Sequence, residues 1–451
     1  MSGFTAYVNW PSNHIVGLVE NALQEIFGPQ TVHVSKTPPD DGANPGPLLQ
    51  WTAYDSLVHT LTLDHPHNVL SSSYTIRKAL IRKHFLHQTI ANYLIKAPDS
   101  ILHKAIPRTW PIEISFTDEL DDAWADELWD LSVELEKGDK WFILKPGMAD
   151  RGQGIRMFNS RESLYDIFQS FEDGSSDEEH SNFDEAKIQD NKKTAIMTSQ
   201  LRHFVIQYLS TPLLVDPTQA QVGTQDPPKG APEGRKFHLR TYCVASGALK
   251  LFICPNILAL FSETTYTHPS SQPIDNPNDM DLSPHLTNTA LQPNVHESSI
   301  RLLRELVGCN ILSSSDQNAK LRLEDIEDIE GKVSIILAET FKAALASAVH
   351  FQVLPNAFEL FGVDLLVTDT NESDSGSSKF QVYLLEINAE PAIELTGARL
   401  NWILVDLFKG IAHRCIKPFF DYNDKALPTG MEQESNKWLK KCLDIEARKY
   451  K

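Results

Sequence analysis

Strand-like and helix-like stretches alternate along this sequence, and together they predict a mixed α/β (α+β) fold. AYVNW near the start reads as a strand, and the segment after it, from Asn13 to Phe27, places Ile15, Val16, Val19, Leu23 and Ile26 at helical spacing. Farther along, the runs FELFGVDLLV and VYLLEINAEP are strand-like and flank a polar stretch, NESDSGSS from Asn371, that reads as a hairpin tip. Before them, Leu337, Phe341, Leu345 and Val349 recur every four residues, the stripe of a helix lying on a core, with Pro355 beyond its end.

With 451 residues the chain has room for two or three packed units, and 41% apolar with 22% charged residues is an ordinary globular balance that argues against wholesale disorder. The start, MSGFTAYVNWPSNH, has no basic stretch followed by an apolar one, and no uncharged apolar run is long enough to cross a bilayer, so no signal or membrane segment is expected. Cys243, Cys254, Cys309, Cys415 and Cys442 are scattered and lack CxxC spacing. They suggest neither a disulfide framework nor a zinc site, and a reducing, cytoplasmic setting is expected. A formal charge of −19 disfavours sequence-independent nucleic-acid binding, which needs clustered cations to displace counterions.

Three stretches combine Ser, Asp, Asn, Pro and Gly without apolar periodicity and read as surface excursions: Glu172 to Thr194, Asp216 to Arg235 and Thr264 to Pro284. The first is an acidic insertion, about 172–194, with eight acids against three lysines between Glu172 and Lys193. The segment from about Asp421 is lysine-rich, with Trp438, Leu439, Leu443 and Ile445 as its apolar residues, and reads as a short docked helix or a frayed tail.

Chemistry concentrates in three motifs. WFILKP at 141–146 runs into GMADRGQGI, so a strand delivers Lys145 into a loop containing Gly147, Gly152 and Gly154. Such a loop can close over phosphates, because glycine lets backbone N–H groups approach oxygen and the lysine neutralises charge. It is neither a Walker loop nor a G-x-G-x-x-G fingerprint. KFHLR opens a second β-like run with a turn at Ser246-Gly247. Strand alternation there puts Lys236, His238 and Arg240 on one face and Phe237 and Leu239 on the other, so the basic face is either solvated or an anion-binding wall. In the third motif, Asp364 sits within an apolar run, while Glu386 and Asn388 share one face of the next strand. Hard oxygen ligands converging from adjacent strands suit Mg2+, which is held by carboxylates together with nucleotide phosphates. Burying such acids without a cation would be costly.

In order and approximate spacing, RKALIRK near Arg77, WFILKPGMADRGQGI, VIQYLSTPLL, KFHLR, HLTN, FELFGVDLL and LLEINAEP resemble the motifs of the tubulin-tyrosine-ligase family, most closely its fungal members. The resemblance covers most of the chain. It implies an ATP-grasp fold with an N-terminal αβ domain at 1–70, a central half at 71–210, a C-terminal half with the metal site at 211–420 and a charged tail at 421–451. By position, Lys78 and Lys145 would hold ATP phosphates with the loop glycines Gly152 and Gly154. Gln207, Tyr208 and Leu209 would form the adenine hinge, and Thr287 and Asn288 would line the cleft. Lys236 and Arg240 would face the phosphates and the carboxylate substrate, flanking His238 in the catalytic wall, while Asp364, Glu386 and Asn388 would coordinate Mg2+.

The implied activity is ATP-dependent ligation of a carboxylate to an amine through an acyl phosphate, adding an amino acid to a protein acceptor, with tubulin as one candidate. Two departures from the family pattern favour an alternative, a nucleotide-binding scaffold without ligation. His238 stands where the family motif KFDLR has an aspartate, and ILALFS puts Leu260 and Phe261 where a cleft arginine is expected.

Overall fold

The computed structural model describes residues 3–42, 44–148, 153–176, 202–208, 210–220, 231–272, 277–287, 299–369, 379–421 and 436–445. Its N-terminal alternation forms an all-parallel sheet. β1 (Phe4–Asn9) lies between β2 (Val32–Ser35) and β3 (Leu48–Thr52), and β4 (Val69–Ser71) completes the order β2-β1-β3-β4. Parallel neighbours need a crossover, and α1 (Asn13–Phe27) supplies the first. Ser12 caps it by accepting from the Ile15 N–H, and Gly28, at φ 81, ends it in a conformation that glycine adopts without a Cβ penalty. The second connection carries α2 (His59–Asp64) between β3 and β4.

The middle of the chain forms an antiparallel sheet of order β5-β8-β6-β7, from Thr109–Glu113, His203–Tyr208, Phe142–Pro146 and Arg156–Phe158 respectively. The helix Arg161–Ser176 covers it, and Trp110, Phe142, Phe158, Phe168 and Phe204 close a core of its own. Two helices lead into this unit: α3 (Lys78–Ile81) and α4 (Lys83–Lys96), separated by the extended residue Arg82 at φ −111, ψ 118.

The third sheet is built around β10 (Arg235–Ser246). One of its edges pairs with β12 (Leu258–Phe261) and then β11 (Lys250–Ile253); the other pairs with β14 (Phe358–Asp369), which pairs in turn with β15 (Phe380–Ala389). Short strands β9 (Leu214–Val215), β13 (Ile300–Leu302) and β16 (Lys440–Asp444) finish the edges. Helix Leu323–Ala346 lays Ile329, Val333, Ile336, Leu337 and Phe341 on one face, with Leu239, Cys243, Phe361 and Val363 beneath it. The opposite face, carrying Tyr242, Val244 and Phe358, meets helix Asn401–Ile411 and the N-terminal unit in a core that joins Leu23 and Trp51 to Leu404 and Phe408. The two units are also hydrogen-bonded together. Ser71 N–H donates to the Asn356 carbonyl at 3.1 Å, and the buried Asn356 amide donates to the carbonyls of Thr62 (2.8 Å) and Val69 (2.9 Å).

Several expectations change. The acidic excursion starts later, because the helix runs to Ser176 and Glu172 accepts from the Thr117 hydroxyl at 2.8 Å; residues 177–201 lie outside the described residues. The loop from Asp216 is pinned at its ends, where that carboxylate accepts from the N–H groups of Thr218 (2.9 Å) and Glu233 (3.1 Å). The Thr264 to Pro284 stretch is not wholly superficial, since Met280 is buried against Ile143 and Met157. The helical stripe stops at Ala346, leaving Val349 77% exposed. The tail contributes a helical turn at 436–438 and then a strand, with β16 pairing β11 and Leu439 fully buried. The proposed hairpin tip from Asn371 lies outside the described residues, while β14 and β15 on either side of it pair antiparallel as a hairpin requires. Among the described residues, no helix is long and apolar enough to cross a membrane.

Candidate active site

Strand register assembles the charged cluster. Arg240 on β10 lies directly opposite Asp364 on β14, and Asp364 lies opposite Glu386 on β15, so period-2 alternation puts these side chains and Asn388 on one face. A register shift beside Asp364 leaves Leu385 unpaired and aims Glu386 at its neighbours. The Arg240 guanidinium holds both Asp364 oxygens, through Nε to Oδ1 and through Nη2 to Oδ2 at 2.9 Å, a bidentate geometry that fixes both groups. Asn388 Nδ2 donates to Glu386 Oε1 (3.1 Å) and lies 3.4 Å from Asp364 Oδ2. His238, two residues before Arg240 on the same face, places Nδ1 2.6 Å from the Thr287 hydroxyl and Nε2 3.4 Å from Asp364 Oδ1.

Across from this face, the middle sheet contributes Lys145. Its Nζ donates to Gln207 Oε1 at 2.8 Å, and Gln207 Nε2 donates to the Thr109 hydroxyl at 3.2 Å. Lys83, at the start of α4, forms an ion pair with Glu386 Oε2 at 3.0 Å. Four cationic or imidazole side chains, Lys83, Lys145, His238 and Arg240, therefore surround two carboxylates, with Lys236 beside Lys145.

Burial sets the protonation of this cluster. It lowers the Lys145 ammonium to about 8, with Glu386 pulling back up and Lys83 pushing further down. Burial, with Lys145 beside it, brings Lys236 to about 7. For Asp364, burial favours the neutral acid, but Arg240 and His238 outweigh it and hold the carboxylate well below its ordinary range. Glu386 is also held low: burial and Asp364 push it up, while Lys83 and Lys145 pull it down. His285, just before Thr287, is buried with neither ring nitrogen hydrogen-bonded among the described residues; burial and then Lys236 lower it to about 4.

The structure thus brings together Lys145, Lys236, His238, Arg240, Gln207, Thr287, Asp364, Glu386 and Asn388 as the sequence suggested. Tyr208 ends the strand that carries Gln207. Lys78 is different: it is exposed on α3, and Lys83 occupies the site in its place. The physical reason is the extended residue Arg82, which turns the chain between the two short helical segments and swings the second Arg-Lys pair of RKALIRK toward β15. Gly154, at φ 69, needs glycine's left-handed freedom. Gly147 is held between α4 and β8, where a Cβ would meet His84 Nδ1 at 2.6 Å and the His203 carbonyl at 3.0 Å. Gly152, Leu209 and Asn288 lie outside the described residues. Leu260 pairs with His238 across β10 and β12 and is buried in the apolar cluster on the same sheet face, so no cation stands there. Sequence reasoning missed Lys83 and His285; both lie inside motifs that it had quoted.

A family model described as the tubulin-tyrosine ligase family matches residues 62–422, spanning all of these groups. The chain belongs to that family. A probable tubulin–tyrosine ligase of Schizosaccharomyces pombe is 36% identical over 390 residues, covering 84% of each protein. Another, PBY1 of Saccharomyces cerevisiae, is 36% identical over 92% of this chain, although the chain spans about half (52%) of that protein. In structure, the chain is similar to the C-terminal domain of K. lactis Pby1, described as an ATP-grasp enzyme that interacts with the mRNA decapping enzyme Dcp2. The TM-score is 0.65 at 28% identity, with 98% of this chain and 100% of that one covered. The fold is therefore ATP-grasp, and family and fold together are those of ATP-dependent ligases.

A family member of this fold implies ATP and Mg2+, and the residues fit both. Asp364 and Glu386 repel one another across neighbouring strands, so the pair favours a cation between them. Two carboxylates and an amide are a hard-oxygen set of the kind that shares Mg2+ with nucleotide phosphates. The Asn388 amide now presents its N–H to both acids and would have to present its oxygen to a metal; the assignment of amide N and O rests on hydrogen bonding alone.

Proposed function

We propose that this chain is an ATP-dependent ligase that joins a carboxylate to an amine, adding an amino acid to a protein acceptor through an acyl phosphate. The observation that supports it best is the convergence of Lys83, Lys145 and Arg240, from three separate elements, on Asp364 and Glu386, with Lys236 beside Lys145. A cationic wall around two fixed carboxylates suits transfer of a phosphoryl group, where catalysis is mostly positioning and stabilisation of spread negative charge.

In this reading the substrate carboxylate attacks the γ-phosphate, an O–P bond forms, and ADP leaves with the electrons of the bond that breaks. The amine then forms a C–N bond to the acyl carbon, the C–O bond breaks, phosphate departs, and the surplus proton passes to water. Lys145 and Lys83 bind the phosphates, Gln207 orients Lys145, and Arg240, locked by Asp364, faces the carboxylate. Mg2+, when held by Asp364, Glu386 and Asn388, would neutralise phosphate charge. Lys236, poised near neutrality, takes up a proton as polyphosphate arrives. His238 positions Thr287 against Asp364.

Tubulin is one candidate acceptor, although an acidic body is a poor electrostatic match for an acidic tail. The relationship to Pby1 adds a decapping enzyme as a candidate partner. The test is mass spectrometry of lysate proteins incubated with the purified chain, Mg-ATP and labelled amino acids, run beside acceptor-dependent ADP release. Transfer of label supports the ligase. A second reading, a nucleotide-binding scaffold without ligation, is favoured by the uncharged residue Leu260 beside His238; it predicts Mg-ATP binding with no acceptor-dependent ADP release.

A further inference from the structure

One seam joins the two elements that deliver Lys83 and Lys145. Lys83 opens α4, and Lys145 stands one residue before the end of β6. The backbone that leaves β6 at Gly147 is stitched to both neighbours: the Lys83 N–H donates to the Gly147 carbonyl at 3.3 Å, and the Gly147 N–H donates to the carbonyl of His203, the first residue of β8, at 2.7 Å. The side chains beside this backbone are imidazoles. The His84 ring stacks on the His203 ring, with 4.5 Å between centroids and 18° between planes. Glycine is needed between them, since a Cβ on residue 147 would meet His84 Nδ1 at 2.6 Å and His203 Cβ at 3.3 Å. His84 Nδ1 is buried there and has no hydrogen-bond partner among the described residues.

The surroundings of that ring favour its uncharged form. Arg82 precedes it, His203 covers its face from β8, and His350 approaches from the segment after helix Leu323–Ala346, with its ring 4.3 Å from that of Phe85. Lys83 turns its charge away to Glu386, and His87, one turn along α4, is itself lowered by burial. The carboxylate on this side, Glu113 of β5, lies 3.8 Å from His203 Nδ1 in a pair exposed on both sides, so it offers the His84 ring little. Burial first, then His203, Arg82 and His350, bring His84 down to about 4. A proton on His84 adds a cation beside an arginine and two further imidazoles. The relief open to it is separation of α4 from β8, which breaks both hydrogen bonds of Gly147.

Resting on the nucleotide-binding half of the reading above, we infer that His84 is a positioning residue: its uncharged ring, stacked on His203, keeps Gly147 seated on α4 so that Lys83 and Lys145 bear on the same phosphates, and its protonation unseats them. Acid then weakens the grip on Mg-ATP through a group that is not itself placed among the phosphate or metal ligands. The sign follows from linkage. A seated ring takes up a proton only near 4 and a released one near 6.5, so the seated arrangement is fully favoured above pH 6.5 and loses ground as pH falls toward 4. Between pH 7.5 and 5.5 release becomes about tenfold easier, which caps the effect on affinity.

The test is calorimetric titration of the full chain with Mg-ATP at pH 7.5, 6.5 and 5.5, in the parent, in His84→Phe and in His203→Phe, with thermal melts at each pH to confirm that every protein is folded. Protonation of the nucleotide and of the site lysines is common to all three, so the ratio of parent to variant isolates the stacked pair. From pH 7.5 to 5.5 the dissociation constant should rise by roughly threefold or more beyond its rise in His84→Phe, whose ring stacks but takes no proton. His203→Phe, which leaves His84 facing one chargeable ring fewer, should fall between the two. A merely structural role for His84 shifts affinity by the same factor at every pH and overturns the inference. If His84→Phe does not fold, parallel profiles in the parent and His203→Phe overturn it instead. Parallel profiles with Mg-ATP still bound leave the nucleotide reading standing, whereas absence of binding in the parent at every pH overturns both.

Discussion

Two positions on β14, one near its start and one at its middle, each bury an acid beside an arginine, and they come out oppositely. Asp364 meets Arg240 in a bidentate fork, with His238 also at hand, and its carboxylate is held low. Glu359 meets Arg77 at 2.7 Å without an aligned N–H, because that guanidinium is also laid over the Tyr54 ring at 3.8 Å. There burial wins over Arg77, and the acid is pushed up to about 8. One nearby opposite charge does not decide the protonation of a buried acid: Asp364 has Arg240 and His238 pulling it down, whereas Glu359 has Arg77 alone against its burial, with Glu390 pushing it up.

The sharpest way to break this contrast is Asp364→Ala. It strands Arg240 in the interior, so about 3–5 kcal/mol of stability should be lost in urea titrations, and any nucleotide turnover should fall by roughly 10² or more. Glu359→Gln should cost far less at pH 6, where the native acid is already protonated. If the two substitutions cost the same, the contrast is wrong.

Titration separates the two acids next. Between the unfolded value near 4.5 and the folded value of about 8, native Glu359 binds a proton that the unfolded chain does not, so stability should fall as pH rises through that window, by up to about 5 kcal/mol. Asp364, held low, has the opposite sign: its contribution is present above the ordinary carboxylate range and is lost as pH falls through and below it. Urea midpoints from pH 5 to 9 should fall with pH more in the parent than in Glu359→Gln, where the low values of Lys145 and Lys236 leave a slope of the opposite sign from about pH 7 upward.

A third comparison sets two lysines of one motif against each other. Saturating Mg-ATP at a hundredfold excess over its dissociation constant should stabilise the chain by roughly 2.7 kcal/mol. Lys145→Ala and Lys83→Ala should remove most of the accompanying thermal shift, and Lys78→Ala should leave it intact. Calorimetry in buffers of different ionisation enthalpy should also show proton uptake on binding near pH 8, reduced in Lys236→Met, since Lys236 near 7 is mostly neutral there until phosphate arrives while Lys145, about 8, is half so. An equal effect of Lys78→Ala would put the phosphates elsewhere. The smallest effect concerns His238: His238→Asp should keep Mg-ATP affinity within a few fold while retaining or raising acceptor-dependent turnover, and His238→Ala should lower turnover alone.

How much of this was legible follows from how each signal is encoded. Asp364, Glu386 and Asn388 stood out because strand periodicity forces an acid within an apolar run onto a buried face, where only a purpose justifies its cost. Lys145 stood out because a strand runs straight into glycines. Lys83 did not, because RKALIRK offers two Arg-Lys pairs and the choice is made by the extended residue Arg82, a backbone event with no compositional mark. Val349 followed the helical period and still ended exposed, since the helix stops at Ala346. The strand Lys440–Asp444 was hidden because its pairing partner, β11, lies far away in sequence and it carries little apolar alternation of its own.

Asn356 has a mechanical consequence. By accepting from Ser71 and donating to Thr62 and Val69, it fastens the parallel sheet to the strand that carries both buried acids, and the shared apolar core leaves no plane along which the two could slide. Among the described residues, the middle sheet, with its separate core of Trp110, Phe142 and Phe204, has no hydrogen bond to Asn356. The Lys145-bearing sheet is joined to the third unit instead through smaller contacts, Trp141 to Ser270 at 3.1 Å, Arg156 to Asn278 at 3.3 Å and Met280 on Ile143 and Met157, so that boundary is where an opening that admits a nucleotide is expected.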